Sequence, residues 1–133
     1  MRDKRTAMPI LVAKGTTGVG QEFDVSDYNS VVLQLSAAAS TTATVKVQGS
    51  LSNAAPTFST ARSAINHWDY LAVYDYETAI LIEGGTGIAY SAVTAPDSCR
   101  NILINTDHLV WLNVEITSIS AGDVTATAFA AQD

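Results

Sequence analysis

The feature that most limits what this chain can fold into is a series of short apolar runs, spaced at strand length and separated by turn-forming residues. Alternate residues of the segment Leu109–Ser118 are apolar, namely Val110, Leu112, Val114 and Ile116. Side chains of a strand point to opposite faces in turn, so this pattern indicates a strand with one buried face. Repeated at spacings of about 8–12 residues, it is typical of a sandwich or barrel.

Similar segments recur along the whole chain, and no segment shows a convincing amphipathic helical pattern. The segment Thr60–His67 lies in the longest connection and is long enough for one helical turn. The last two strands read as a closing hairpin that turns at Ser120–Asp123, where Gly122 can adopt positive φ. We therefore predict an all-β fold, an antiparallel β-sandwich of jelly-roll-like form with about 8–10 short strands. The candidate strands are Pro9–Ala13, Gln21–Val25, Val31–Ser36, Ala43–Gly49, Trp68–Asp75, Ala79–Glu83, Gly87–Ser91, Arg100–Asn105, Leu109–Ser118 and Asp123–Ala130.

Length and charge suggest a basic arm followed by one acidic domain. The 133 residues suit a single domain. Arg2, Lys4 and Arg5 against Asp3 give the first five residues a charge of +2. Since the net charge of the whole chain is −6, the remaining residues carry −8. We predict an N-terminal arm over residues 1–8 and a β-sandwich over 9–133. The arm would reach an acidic surface on a neighbouring copy or a capsid, or else form a solvated tail. An acidic body argues against nucleic acid as a partner.

The composition favours a protein whose surface is covered by other protein. Charged residues make up 15% of the chain, below the roughly 25% of ordinary soluble domains; a secreted β-domain would fit as well. The N-terminus has no apolar signal segment, and no apolar run approaches the roughly 20 residues of a membrane span. We expect synthesis in a cytoplasm and no membrane contact. The single cysteine, Cys99, is predicted to be a buried small side chain.

The sequence offers little for catalysis. His67 and His108 have no second ligand at metal-binding spacing, and surface or turn positions fit both better. No G-x-S-x-G motif is present for a serine nucleophile. The glycine-rich segment Lys14–Gly20 lacks the G-K-[ST] ending of a phosphate loop and precedes a predicted strand, so it is interpreted as a turn. We predict that the protein is not an enzyme and binds no cofactor or small-molecule substrate.

The acidic residues between the predicted strands could suggest a calcium site, but their spacing does not match one. Asp69, Asp75 and Glu77 fit no EF-hand or D-x-D-x-D-G loop. Solvated acids at strand edges are the better interpretation. No metal site is therefore predicted.

Aromatic residues provide the strongest candidate for a binding surface. Trp68, Tyr70, Tyr74 and Tyr76 share one parity of a predicted strand, and Trp111 lies on the polar face of its own strand. One interpretation places the first four in the core. The alternative is an outward aromatic face, a composition that suits a protein interface or a carbohydrate platform.

Three stretches of the second half of the chain carry a family resemblance: Trp68–Tyr70, Ile82–Ile88 and Asn105–Val124, the last with its Trp-Leu strand and Ala-Gly turn. In this order they resemble the C-terminal half of small virion proteins of tailed phages, and capsid cement (decoration) proteins with a jelly-roll fold most of all. The resemblance covers roughly half the chain and contains no diagnostic motif, so no functional residue is carried over. It implies a jelly-roll that forms trimers or dimers and clamps capsid subunits from outside.

The leading hypothesis is a virion structural protein that cements the capsid, located on the capsid surface, with itself and the major capsid protein as partners. A tail, neck or fibre component is one alternative, and a carbohydrate-binding β-sandwich is another. The candidate interface residues are Arg2, Lys4, Arg5, Trp68, Tyr70, Tyr74, Tyr76 and Trp111.

Overall fold

The computed structural model describes residues 4–95 and 98–132 and shows an all-β protein built from two antiparallel sheets packed face to face. The described residues contain no helix, and accordingly none that is long and apolar enough to cross a membrane. The strands are β1 (Lys4–Lys14), β2 (Gly18–Val19), β3 (Phe23–Asp24), β4 (Ser30–Ala37), β5 (Thr42–Ser50), β6 (Asp69–Tyr70), β7 (Val73–Asp75), β8 (Ile80–Ile82), β9 (Ile88–Tyr90), β10 (Cys99–Ile104), β11 (Trp111–Ala121) and β12 (Val124–Gln132).

The strand order is that of a jelly roll, as predicted. Sheet A has the order β1-β12-β4-β10-β7-β8, and sheet B has the order β2-β11-β5-β6, with β3 also on β11 and β9 also on β5. Taking β2 and β3 as one interrupted strand and setting β6–β8 aside leaves eight principal strands. The first, eighth, third and sixth of these form one sheet, and the second, seventh, fourth and fifth form the other, which is the double Greek key of a jelly roll.

The core lies between the two sheets and is made by alternate residues of the long strands. Each strand therefore has one apolar and one more polar set of side chains, as the sequence pattern predicts. The small alanine side chains of β12 belong to this core together with larger aliphatic ones. Fully buried core residues include Val31, Leu33, Leu35, Val45, Ile102, Leu112, Val114, Ile116, Val124, Ala126 and Ala128.

An insertion between β5 and β9 departs from the predicted pattern. The single strand expected at Trp68–Asp75 is two strands, because the chain passes from sheet B to sheet A after β6. Tyr70 pairs with Gln48 in sheet B, whereas Tyr74 pairs with Leu103 in sheet A. Strands β7 and β8 then extend sheet A beyond β10. The segment Thr60–His67 forms turns and no helix.

The first strand begins at Lys4, five residues before its predicted start at Pro9. Lys4 to Pro9 pair without interruption with Gln132 to Thr127 of β12, so the residues 4–8 that were assigned to an arm belong to sheet A. The prediction failed because Pro9 was taken to prevent regular structure before it. At the edge of a sheet a proline is tolerated, since its missing N–H faces away from the partner strand.

The predicted closing hairpin is wrong, although its turn is placed correctly. Strand β11 lies in sheet B and β12 in sheet A, so the connection at Gly122 crosses the sandwich. Gly122 has a φ of 82°, and a Cβ there would collide with the Thr41 side chain. Thr41 is fully buried; its Oγ1 donates to the Ala38 carbonyl at 2.6 Å and accepts from the Asp123 N–H at 3.2 Å. This threonine holds the crossing in place.

Two further expectations are corrected by the alternation of side chains. Cys99 was expected to be buried, but it is exposed, because it shares the outward parity of β10 with Asn101. The segment Lys14–Gly20 was read as a turn, yet Gly18 and Val19 form β2 and pair with Ile116 and Glu115.

Candidate interaction surface

A row of apolar side chains crosses the outer face of sheet A from one edge to the other. Each member is paired in register with the next on the neighbouring strand. All six strands contribute one residue. In sheet order the row is Ala7, Phe129, Val32, Leu103, Tyr74 and Leu81, and it is called the apolar row below.

The apolar row is open to solvent. Leu81 is 67% exposed, Phe129 47% and Tyr74 36%, while Val32 and Leu103 are half-buried. Cross-strand neighbours on one face lie about 5 Å apart, so these side chains form a continuous strip. An exposed apolar strip bordered by polar residues is typical of a protein interaction site.

Polar residues border the apolar row. On one side, the next outward residues are Thr127, Gln34 and Asn101, which pair in register across three strands. Gln34 and Asn101 are exposed. The face is thus amphipathic, with an apolar centre and a polar margin, as in protein interfaces.

Part of the outer face of sheet B is covered by the chain itself. Gln48 and Ser50 of β5 and Asn113 of β11 point outward and are nevertheless buried. The long loop 51–68 lies over them: Gln48 Nε2 donates to the Phe58 carbonyl at 3.1 Å, and Ser50 Oγ donates to the His67 carbonyl at 2.6 Å. The Phe58 side chain is itself buried.

Asn66 organises this loop from within. Its side-chain amide donates to the carbonyls of Thr57 at 2.9 Å and Thr60 at 3.1 Å, and its Oδ1 accepts from the Thr57 N–H at 2.9 Å. These bonds satisfy backbone groups that neither sheet pairs. The loop is therefore an ordered cover for the sheet.

Both tryptophans anchor this cover. Trp68 Nε1 donates to the Thr60 carbonyl at 2.9 Å, and Trp111 Nε1 donates to the Asn53 carbonyl at 3.2 Å. Both side chains are half-buried. Buried indoles need such a partner for their N–H, and here the partner is the loop.

Arg62 closes the cluster around Trp68. Its guanidinium lies 5.7 Å from the Trp68 ring and 5.2 Å from the Tyr70 ring and forms an ion pair with Asp69. Trp68 and Tyr70 meet edge to face with ring centres 5.0 Å apart. Such stacked cations stabilise the position of the loop on sheet B.

Tyr70 also links β6 to β11. Its hydroxyl donates to Glu115 Oε1 at 2.6 Å. Burial, and then the hydrogen bond to Glu115, raise the pKa of Tyr70 to about 12, because both disfavour the phenolate. The bond thus depends on the neutral tyrosine.

A buried ion pair lies between the sheets at one end of the core. Asp75, expected to be a solvated acid, is fully buried and pairs with Arg100 of β10. Burial acts to raise the pKa of Asp75, but the hydrogen bonds from Arg100 and the Glu77 N–H together hold it below its ordinary value. Beside the pair is an open cavity of about 400 Å³. The Tyr90 hydroxyl nearby is fully enclosed, and burial raises the pKa of Tyr90 to about 12.

The pair is not joined by further side chains of the kind that hold metal ions. Among the residues 4–95 and 98–132, no three His, Cys, Asp or Glu side chains converge on one point. His67 and His108 are both exposed, and His108 has a φ of 62° in the turn before β11. The cavity is lined mainly by turn residues.

The aromatic candidates form two separate groups. Trp68 and Tyr70 pack on sheet B, whereas Tyr74 and Tyr76 lie on the outside of sheet A, edge to face at 6.1 Å. Tyr76 is 50% exposed. No common platform joins the groups, because the chain changes sheets between them. Trp111 lies under the loop on sheet B.

The basic candidates lie at one edge of sheet A, as far as they are described. Arg5 is exposed on β1, the outermost strand. Lys4 begins that strand and pairs with Gln132. Arg2 lies outside the described residues.

Sequence reasoning missed most of the apolar row. Val32, Leu103 and Phe129 each lie one position from core residues of their own strands, and only the pairing of three strands aligns them. The sequence signal was present: apolar residues at outward positions of strands that otherwise alternate. The register of the strands that aligns these residues cannot be predicted from the alternation pattern of the sequence.

Comparison with known proteins identifies a fold but no family. No family model matches the chain, and no curated protein matches it in sequence. Among solved structures, the fold is similar to that of the SPBc2 prophage-derived protein YomS, with a TM-score of 0.71 and 14% sequence identity. The match covers 97% of this chain and 94% of that chain.

Proposed function

We propose that this chain is a structural protein of a tailed phage, a cement protein that binds across capsid subunits on the outside of the head. The observation that carries a binding role is the apolar row, which places exposed Leu81, Phe129 and Tyr74 on an uncovered sheet face. The phage setting is supported by the likeness of the whole fold to a prophage-derived protein. The role is non-enzymatic, without cofactor, metal or small-molecule substrate.

In this proposal the protein acts mechanically. A protein that binds the assembled shell but not the separate subunits stabilises the shell by mass action. The row and its polar margin would lie against the major capsid protein, where exclusion of water from the apolar strip drives binding. The protein would be made in the host cytoplasm and end on the capsid surface. A tail, neck or fibre component would use the same face.

The test uses phage heads from the genome that carries this gene, prepared with and without it. We expect the purified protein to co-sediment with heads that lack it and to raise the temperature at which they release DNA. Val32→Asp, in the middle of the row, should reduce co-sedimentation at least tenfold, since a charge would be buried against the shell.

The matched control is Gln34→Asp, which makes a similar charge change on the same strand in the polar margin. It should reduce binding by less than threefold. If the protein is found on tails and not on heads, the tail, neck or fibre alternative would replace the cement role. If it is absent from virions, both proposals would be overturned.

A further inference from the structure

The two edges of sheet A differ in charge and in protection. The outer edge at β1 carries Lys4, Arg5 and Lys14, together with Pro9 and two register irregularities. The other edge, β8, is a three-residue strand of Ile80, Leu81 and Ile82. The positive charges discourage β1 from pairing with β1 of another copy, and the proline and the irregular register confine regular pairing at this edge to its first residues, before Pro9.

The β8 edge has little such protection, except that it is short. Ile80 is 57% exposed although it has the inward parity of its strand, and Leu81 is 67% exposed. The residues on either side of the strand are acidic: Glu83 follows it directly, and Glu77 lies in the turn before it. Both glutamates are exposed. An apolar, open strand between negative charges selects a basic partner strand.

We infer that β1 of one copy pairs with β8 of the next, so that the subunits of this protein join head to tail through the opposite edges of sheet A. The partner is a second copy of this chain, and the inference rests on the proposed cement role, for which the family resemblance implies a trimer or dimer. All neighbouring strands of sheet A are antiparallel, so β1 and β8 run in opposite directions and continue that alternation across the contact.

The register of sheet A brings opposite charges to the same level. The apolar row begins at Ala7 on β1 and ends at Leu81 on β8. Arg5 and Glu83 are each two residues from these ends. Because the strands alternate in direction, both lie on the same side of the row, with the same outward parity.

At a β1–β8 contact in which the row continues, Arg5 of one copy therefore faces Glu83 of the next. Neither side chain has an ion-pair partner within the part of the chain that the structure describes. Ala7 and Leu81 would join the two rows into one belt.

This contact cannot close as a two-fold dimer. The two edges of a six-stranded sheet are about 24 Å apart, at about 4.8 Å per strand, so two copies cannot engage both pairs of edges at once. Heterologous contacts of this kind close as rings of three or more copies or continue as open chains. Of the two oligomers that the family resemblance implies, the trimer is the one compatible with this contact.

The test is charge reversal at both ends of the contact, measured by sedimentation velocity on purified protein without capsids. Arg5→Glu places two glutamates together, and Glu83→Lys places two basic residues together. Each should raise the dissociation constant of the subunits roughly tenfold, because one exposed ion pair is lost and a repulsion is added. The double variant Arg5→Glu/Glu83→Lys should self-associate like wild type, because the pair is restored with reversed signs.

Mixing the two single variants provides a sharper readout. Each variant repels itself, but a contact between the two variants is attractive, so the mixture should associate more strongly than either variant alone. In a three-membered ring one contact still joins two copies of the same variant, so the recovery should be partial there. Lys46→Glu, on β5 of sheet B, and Glu22→Lys make the same charge changes away from the contact and should leave association unchanged. Thermal unfolding of every variant checks that it is folded.

Several results would overturn the inference. If Arg5→Glu has no effect and Leu81→Ser abolishes association, β8 pairs with itself in a two-fold dimer. If wild type is a monomer at all concentrations, no edge contact forms, whereas the cement proposal would be judged separately by co-sedimentation with heads.

Discussion

The outer faces of the two sheets show opposite arrangements. On sheet B, polar side chains such as Gln48 and Asn113 are buried, and their amide N–H groups donate to the carbonyls of Phe58 and Gly20. On sheet A, apolar side chains such as Phe129 and Leu81 are exposed. A buried polar residue at an outward position indicates cover from the same chain, whereas a continuous row of exposed apolar residues is typical of an interaction surface.

The largest loss of stability is expected in the interior between these two faces, and it gives a reference for the effects of substitutions on either face. Arg100→Ala leaves Asp75 as a buried charge without its main partner, and we expect a loss of about 4 kcal/mol in the free energy of unfolding at pH 7. Chemical denaturation measures it. Arg100→Lys should recover part of the loss.

The same variant has a pH signature. The pKa of Asp75 is lowered in the fold, so its contribution is present at neutral pH and is lost as pH falls through the folded pKa, below about 4. In Arg100→Ala that contribution is absent. The difference in the free energy of unfolding between wild type and Arg100→Ala should therefore become smaller as the pH falls. A difference that does not change with pH would contradict the ion-pair interpretation.

One substitution made on each face tests the comparison directly. Phe58→Ala removes a buried ring from the cover of sheet B and should cost about 3 kcal/mol of unfolding free energy. Phe129→Ala removes a half-exposed ring from the apolar row and should cost less than about 1 kcal/mol, while it weakens binding to heads. If thermal denaturation shows the same loss of stability for both variants, the two faces do not differ in how far they contribute to the fold.

The smallest expected effect concerns the link between Tyr70 and Glu115. The Tyr70→Phe change removes one hydrogen bond and should cost about 1 kcal/mol at pH 7. Since the pKa of Tyr70 is raised to about 12 from 10, its contribution is complete below pH 10 and is lost as pH rises through 12. The phenylalanine variant should lose less stability over that range. Tyrosinate absorbance should show one late-titrating group fewer.

The sequence predicted the fold well, because alternation is a local signal that a jelly roll uses directly. Strands β4 and β5 were located to within one residue at each end, and the turn at Gly122 was correct. What failed depended on partners distant in sequence. Asp75 can be buried because Arg100, on another strand, pairs with it, and the sequence around Asp75 gives no sign of this partner.

The candidate surface was predictable only in part. Tyr74 and Tyr76 were named, and they lie on the outside of sheet A. Their grouping with Trp68 and Tyr70 was wrong, because a change of sheet between residues 70 and 73 leaves no mark in the alternation pattern. The rest of the row required the register of six strands, which sequence periodicity does not contain.

The position of β12 has a consequence for the time course of folding. This strand is the last in the sequence that the structure describes, yet it lies between β1 and β4, and it is the only described strand to which β1 is paired. During synthesis, β1 must wait for a partner more than a hundred residues away. Folds dominated by such distant pairings are slow to form, since the chain must close long loops before it gains their contacts. Sheet A should therefore assemble only after β12 has been synthesised, as a late and cooperative event.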